Sequence, residues 1–119
     1  MNIDIMLDKL SKSKFRNSFH LNKKMKDYVY EKGMDTIKCH AYDFVLSRLA
    51  SNEPINDGSQ TPMKGHPVFI SQHACACCCR SCLEKWHHIS KGRRLTNMEI
   101  DYIVDLLMRW IMIEVENEK

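Results

Sequence analysis

The sequence predicts an all-α fold, a small single domain of four or five helices with one long central loop. Apolar residues recur at helical spacing over several long stretches, whereas the alternation typical of strands is absent outside residues 68–70. The four glycines and three prolines fall where helices would begin or end. A chain of 119 residues, 44% hydrophobic and 28% charged, suits one soluble domain with one core.

The first predicted element is a helical hairpin over residues 15–50. Gly33 follows KKMKDYVYEK, so in a left-handed conformation it can end a helix that begins near Asn22. Asp35 then offers an N-cap for a second helix. The apolar residues of that second helix recur at helical spacing and are Ile37, Ala41, Phe44, Val45 and Leu49.

A long loop is predicted over residues 51–65, which contain two prolines, two glycines and an Asn-Asp-Gly turn signal. A cysteine-rich helix should follow over residues 66–88, with Pro67 in its first turn, because no glycine or proline interrupts the run as far as Trp86. We expect this helix to be central to the fold and to pack on the C-terminal helix.

The C-terminal helix is predicted over residues 96–116. Thr96 and Glu99 have the spacing of a capping box, which fixes its start. Two adjacent apolar stripes run along it, so it should be packed on two sides. The stripes are Ile100, Ile103, Val104, Leu107 and Ile111, and beside them Tyr102, Leu106, Trp110 and Ile113.

The stretch QHACACCCRSCLEKWHH, residues 72–88, holds five of the six cysteines and three of the six histidines. Three interpretations are open: a metal site, thiol chemistry, or the small-residue face of a buried helix. On one continuous helix, four cysteines and a tryptophan fall on one face. Those residues are Cys75, Cys78, Cys79, Cys82 and Trp86.

The metal interpretation depends on ligand spacing. A rigid helix supplies two or three ligands to one ion, and the remainder must come from elsewhere in the fold. Mixed sulfur and nitrogen ligands make zinc the expected cofactor. The candidate ligands are Cys78, Cys79, Cys82, His73 and His87, with His66, His40 and Cys39 as further candidates.

The two alternatives use the same residues differently. Free cysteine behaves as a small hydrophobe, so the cysteine face can simply be core packing. A thiol-dependent enzyme or redox protein would instead use Cys79 or Cys82 as a thiolate, its pKa lowered by basic neighbours such as Arg80 and Lys85. No catalytic residue is assigned, and a non-enzymatic role is favoured over an enzymatic one.

The charge distribution indicates where a partner would bind. Seven basic residues and no acidic one lie between Lys9 and Lys26. Lys91, Arg93 and Arg94 precede the start of the C-terminal helix, where free N–H groups favour anions. These positions permit a nucleic-acid surface, although a merely solvated basic turn is favoured over it, and a protein partner is a further alternative.

The location expected from the sequence is the cytoplasm. The first fourteen residues lack the apolar stretch of a signal peptide, and no run of about twenty apolar residues could span a membrane. Thiols stay reduced in that compartment. Three consecutive cysteines, residues 77–79, also suit a disulfide framework badly. The oligomeric state is not predicted.

Four stretches carry a family resemblance: KGMDTIKCHAYDFVLSRLA, NDGSQTPMKGHPVFISQHA, CCRSCLEKWHHISKGRRLT and EIDYIVDLLMRWI. From about Phe15 to Ile111 the chain resembles the bacterial family DUF4186, a domain of unknown function. The family pattern is similar to QHATATCCRGCLEKWH, with glycine where this chain has Ser81. The resemblance implies no activity, but it favours as site residues the four that match it, Cys78, Cys79, Cys82 and His87, together with His66 and His73.

Overall fold

The structure is a computed structural model that describes residues 2–51 and 60–117. Those residues form six α-helices and a short 3-10 helix, Arg16–Ser18, without any strand, which confirms the predicted all-α class. The count of four or five helices was too low. The α-helices are α1 (Ile3–Ser11), α2 (Lys23–Lys32), α3 (Met34–Arg48), α4 (Pro67–Ala74), α5 (Arg80–His87) and α6 (Asn97–Glu116).

Helix α6 is the centre of the fold and packs against α1, α3 and α4. Its capping box is formed as predicted, with Thr96 accepting from the Glu99 N–H at 3.1 Å and Glu99 accepting from the Thr96 N–H at 2.9 Å. The first apolar stripe is completely buried, whereas Ile113 at the end of the second stripe is exposed. Burial along so much of one helix makes α6 the main contributor to the hydrophobic core.

Helices α2 and α3 form a hairpin around Gly33. The side chain of Asn22 accepts from the Met25 N–H at 2.8 Å and caps α2, as predicted. Gly33 has a φ of 86°, which glycine adopts readily. Asp35 does not cap α3, because the helix begins directly after Gly33 and places Asp35 in the first turn.

The single helix predicted over residues 66–88 is divided into α4 and α5. Ala76 has a φ of 57°, the Cys77 N–H donates to the Gln72 carbonyl at 2.8 Å, and the Ala76 N–H donates to the His73 carbonyl at 3.4 Å. This pair of bonds is a Schellman motif, which ends a helix. Glycine usually holds the left-handed position, and alanine there gives no signal in the sequence.

The break changes where the cysteines point. Cys79 is extended and becomes the N-cap of α5, with its sulfur 3.4 Å from the Cys82 nitrogen. The common face predicted for Cys75, Cys78, Cys79, Cys82 and Trp86 therefore does not exist. Helix α4 is capped by the His66 side chain, which accepts from the Val68 N–H, and Pro67 lies in its first turn as predicted.

Arg80 fixes the position of α5. Its side chain is fully buried, and its guanidinium donates to four backbone carbonyls at 2.7 to 3.0 Å. Two acceptors follow α3 and two belong to the turn before α6: they are the carbonyls of Leu49, Ser51, Ser90 and Arg93. Arg80 thus ties three parts of the chain together.

Half of the predicted central loop, residues 52–59, lies outside the described residues. Thr61 is buried, and its hydroxyl donates to the Cys78 carbonyl at 2.7 Å, which holds the end of the loop against the α4–α5 turn. Within the described residues, none of the helices combines the length and the apolar character needed to cross a lipid bilayer.

Candidate metal centre

Three cysteine sulfurs converge where α4 gives way to α5. The sulfurs of Cys78, Cys79 and Cys82 all lie within 4.8 Å of one another, and those of Cys78 and Cys82 are 3.6 Å apart. Cys78 and Cys79 are almost completely buried, and Cys82 is half-buried. The break in the helix produces this convergence, because Cys79 leaves the helical path and folds its sulfur back over the first turn of α5.

Arg16, from the 3-10 helix, reaches into the same cluster. One terminal nitrogen lies 3.7 Å from the Cys78 sulfur and the other lies 3.3 Å from the Cys82 sulfur. The first of these also donates to the His73 carbonyl at 2.7 Å. Only 8% of Arg16 is exposed, so its positive charge acts on the sulfurs with little screening.

The pKa values of the Cys78 and Cys82 thiols are shifted in opposite directions. The hydrogen bond with Cys82, aided by Arg16, lowers the pKa of Cys78 to about 7 although burial opposes this. The same hydrogen bond, together with burial, raises the pKa of Cys82. Of these two thiols, that of Cys78 is therefore the one that loses its proton more readily.

Cys75 and Cys77 have a different role. Both are completely buried within the hydrophobic core. Burial raises the pKa of Cys75 to about 12 and raises that of Cys77 well above its ordinary value. For these two residues the core-packing interpretation holds, because a thiol that stays protonated behaves as a small apolar group.

His73 and His87 do not join the sulfur cluster. The Nε2 atom of His73 lies 3.2 Å from the Thr61 carbonyl and 3.1 Å from the Pro62 carbonyl, so it carries the proton and donates to them. The ring also stacks on Phe19, with the centroids 5.6 Å apart. As placed here, His73 is a structural donor that anchors the end of the loop.

His87 is occupied at both ring nitrogens. Nε2 lies 2.8 Å from the Cys75 carbonyl and Nδ1 lies 2.9 Å from the Tyr102 hydroxyl. Since the carbonyl only accepts, Nε2 donates and Nδ1 accepts from the tyrosine. Burial lowers the pKa of His87, which keeps the ring neutral. The ring connects the α4–α5 turn to α6.

His66 and His40 form a separate pair between α3 and α4. Nε2 of His66 lies 3.0 Å from Nδ1 of His40, while Nδ1 of His66 caps α4. Burial and the proximity of His40 lower the pKa of His66 to about 4. Cys39 is exposed on α3, and in the described part of the chain it belongs to no group of three possible ligands.

A protein-family model described as a domain of unknown function, DUF4186, matches residues 4–112. The chain belongs to this family. The resemblance noted in the sequence is thereby confirmed over nearly the whole chain. No solved structure matches the DUF4186 chain. The description of the DUF4186 family names no activity.

The sulfur cluster of this DUF4186 chain fits a tetrahedral metal ion. Zinc–sulfur bonds of about 2.3 Å at tetrahedral angles place ligand sulfurs about 3.8 Å apart. The 3.6 Å between Cys78 and Cys82 is close to that value, and the third sulfur is within reach. Three thiolates around a dication would leave one net negative charge, which the guanidinium of Arg16 would offset from outside the ligand shell.

The basic turn of the DUF4186 chain is partly neutralised. Arg93 makes a two-point ion pair with Glu99, at 2.7 and 2.6 Å. The Lys91 ammonium donates to the Ser81 hydroxyl at 3.3 Å, and the Lys91 N–H donates to Glu84. Arg94 is exposed. An anion site at Lys91, Arg93 and Arg94 stays a prediction, with Arg93 already engaged by a carboxylate.

Arg16 belongs to the candidate site but was not predicted from the sequence. It lies in the basic stretch from Lys9 to Lys26, which suggested a surface for nucleic acid. Its side chain instead turns inward to the sulfurs. The neighbouring Phe15 and Phe19 could have indicated that this basic segment packs against the protein. Their rings form an edge-to-face pair at 5.2 Å, which a fully solvated basic stretch would lack.

Proposed function

We propose that this protein is a metal-binding helical module whose ion, zinc in the first instance, is bound by Cys78, Cys79 and Cys82. The observation that carries the proposal is the convergence of three sulfurs within 4.8 Å at the start of α5. Thiolates are soft ligands that favour zinc among the abundant divalent ions. Because its d shell is filled, zinc has no electronic preference for one coordination geometry. The ion would cross-link the α4–α5 turn to the first turn of α5.

The fourth ligand is proposed to come from outside this set of side chains. Of the two histidines predicted as ligands, His73 uses its Nε2 and His87 uses both ring nitrogens in hydrogen bonds to other groups. A water molecule is the simplest fourth ligand, since three protein ligands with one open position are a common zinc arrangement. Arg16 would stabilise the anionic centre without binding the metal.

The proposed role is to hold a binding surface rather than to catalyse a reaction. Helix α5 carries the basic turn: Arg80 donates to the carbonyls of Ser90 and Arg93, and Glu84 accepts from the Lys91 N–H. A metal that fixes the start of α5 would therefore fix this turn. We propose a nucleic acid or an acidic protein surface as the partner of Lys91 and Arg94.

Elemental analysis of freshly purified protein, combined with thiol titration before and after a chelator, tests the metal proposal. About one zinc per chain is expected, with newly reactive thiols once the chelator removes it. Cys79→Ser is the informative variant, because serine keeps the α5 cap while it removes one sulfur. Cys39→Ser is the matched control and should retain the metal.

A native protein that holds no metal, and that does not take up added zinc when reduced, would contradict the proposal. Equal metal content in Cys79→Ser and the unmodified protein would contradict the ligand assignment.

A second candidate function is thiol chemistry at Cys78. The contacts with Cys82 and Arg16 favour it, because a guanidinium 3.7 Å from a sulfur stabilises the thiolate that acts as nucleophile. Alkylation of the metal-free protein at neutral pH, with the modified peptides identified by mass spectrometry, distinguishes this function. Modification of Cys78 ahead of the exposed Cys39 would support it, and modification of Cys39 alone would exclude it.

A further inference from the structure

Residues 2–18 are an N-terminal segment that lies over the rest of the fold. It consists of α1 and the 3-10 helix, which pack on α6 and α4 respectively. Leu10 is buried in the core, and Arg109 of α6 lies 3.3 Å from the Asp4 carboxylate at the surface. Between this segment and α6 is a cavity of about 280 Å³, lined on one side by Leu7 and on the other by Trp110.

The segment is also attached through Arg16, whose guanidinium contacts two sulfurs and one backbone carbonyl. A buried guanidinium needs acceptors for its N–H groups. Among the described residues no carboxylate forms an ion pair with Arg16, and Glu114, which lines the same cavity, pairs with His20 instead. The sulfurs of Cys78 and Cys82 are the side-chain atoms that face the two terminal nitrogens of Arg16.

We infer that the sulfur cluster is a peroxide-responsive latch, in which oxidation of Cys78 and Cys82 to a disulfide releases Arg16 and with it the N-terminal segment. The two sulfurs are 3.6 Å apart, so they reach bonding distance with a small movement. In a disulfide the two sulfurs lie about 2.05 Å apart, so they cannot both keep their present contacts with the two terminal nitrogens of Arg16. The inference rests on the proposed function in that the thiolates hold the metal until they are oxidised.

The chemistry balances with hydrogen peroxide as the oxidant. The Cys78 thiolate attacks one peroxide oxygen, the O–O bond breaks, and hydroxide leaves to be protonated to water, which gives a sulfenic acid. The Cys82 sulfur then attacks the Cys78 sulfur, the S–O bond breaks, and a second water leaves. Two thiols are oxidised to one disulfide, one peroxide is reduced to two waters, and any bound metal is released as its ion.

Release of the segment would open the cavity. Leu7 and Leu10 would leave the surface of α6, and the partly buried side chain of Trp110 would become fully accessible. The oxidised protein would thus present an apolar surface that the reduced protein covers. This gives the latch a physical output without any change in the core formed by α3, α4 and α6.

Hydrogen exchange measured by mass spectrometry on the full-length protein, reduced and after hydrogen peroxide, tests the latch. Amides of α1 should exchange roughly 10- to 100-fold faster after oxidation, as expected for the loss of one charge-assisted hydrogen bond. Amides of α6 should not change. Trypsin cleaves after Arg80, so a disulfide to Cys82 is seen directly as a link between peptides 65–80 and 81–85.

Two variants serve as controls. Peroxide also oxidises methionine, and Cys82→Ser retains every methionine but cannot form the disulfide. Peroxide should therefore leave the α1 exchange of this variant unchanged. Arg109→Met removes the surface contact with Asp4, and its response to peroxide should match that of the unmodified protein. Arg16→Met should show fast α1 exchange already in the reduced state.

The metal content measured on the same samples separates the two proposals. If the reduced protein holds no metal yet oxidation still speeds α1 exchange, the latch stands and the metal-binding function fails. If metal is bound and then lost with disulfide formation while α1 exchange is unchanged, the latch is overturned and metal binding stands. Absence of the Cys78–Cys82 disulfide, or equally increased exchange in α6, also overturns the latch.

Discussion

Replacement of Arg80 by methionine should be among the most destabilising single substitutions in this protein. Arg80 is fully buried and donates to four carbonyls at 2.7 to 3.0 Å. Each hydrogen bond from a charged group contributes about 1.5–3 kcal/mol. Methionine fills most of the volume but donates to none of the four, so those carbonyls lose their partner.

The expected loss is smaller than four times that value, because some carbonyls would find water. Ser51, Ser90 and Arg93 are exposed residues, so their carbonyls can be hydrated after a small movement, whereas Leu49 is completely buried. We therefore expect a decrease of about 3–5 kcal/mol in the free energy of unfolding. This is a large part of the roughly 5–15 kcal/mol typical of a domain.

Urea denaturation followed by circular dichroism measures this change. The midpoint should fall while the slope stays the same, because the folded state remains equally compact. Lys85→Met is the matched control: it removes an exposed cation from the same helix, and its midpoint should stay close to that of the unmodified protein. An Arg80→Met protein within about 1 kcal/mol of the original would refute the reasoning about buried carbonyls.

Further predictions concern the caps of α5 and α6. Thr96→Ala removes one half of the capping box and should cost about 1 kcal/mol in urea denaturation, whereas Thr96→Ser should cost little; equal losses would contradict the cap assignment. The Arg93 ion pair lowers the pKa of Glu99 to about 2. The ionised Glu99 carboxylate therefore contributes its full stabilisation above the ordinary pKa of about 4.5, and this stabilisation is lost as the pH falls toward 2. Glu99→Gln should accordingly reduce the loss of stability at acid pH, and an unchanged loss would contradict this assignment. In metal-free protein, Cys79→Ser should melt close to the unmodified protein and Cys79→Ala below it, and the reverse order would exclude Cys79 as a cap.

Helix ends that use the usual cap residues were predictable from the sequence. Asn22, Gly33 and Thr96 each mark a helix end where expected, because their side chain or backbone does locally what the cap requires. The break at Ala76 was not predictable in this way. Alanine normally favours a helix, and its left-handed conformation is imposed by the packing of the surrounding chain.

The candidate site, like the helix ends, was predictable from the sequence only in part. The three cysteines predicted as ligands converge because Cys79 lies outside the helix, which requires knowledge of the break. The histidines could not be assigned from spacing, because their hydrogen-bond partners come from distant parts of the chain, such as Tyr102 for His87. The contact of Arg16 with sulfurs more than sixty positions away is a tertiary feature with no local pattern.

X-ray absorption spectroscopy at the zinc edge tests the central claim most directly. The protein, reduced and loaded with zinc, should show three sulfur scatterers at about 2.3 Å and one light atom, without the outer-shell pattern of imidazole. Cys79→Ser should lose one sulfur from this shell, and Cys39→Ser should leave it unchanged. A shell dominated by imidazole nitrogens or oxygens, or one with fewer than three sulfurs in the unmodified protein, would contradict a metal centre built from Cys78, Cys79 and Cys82.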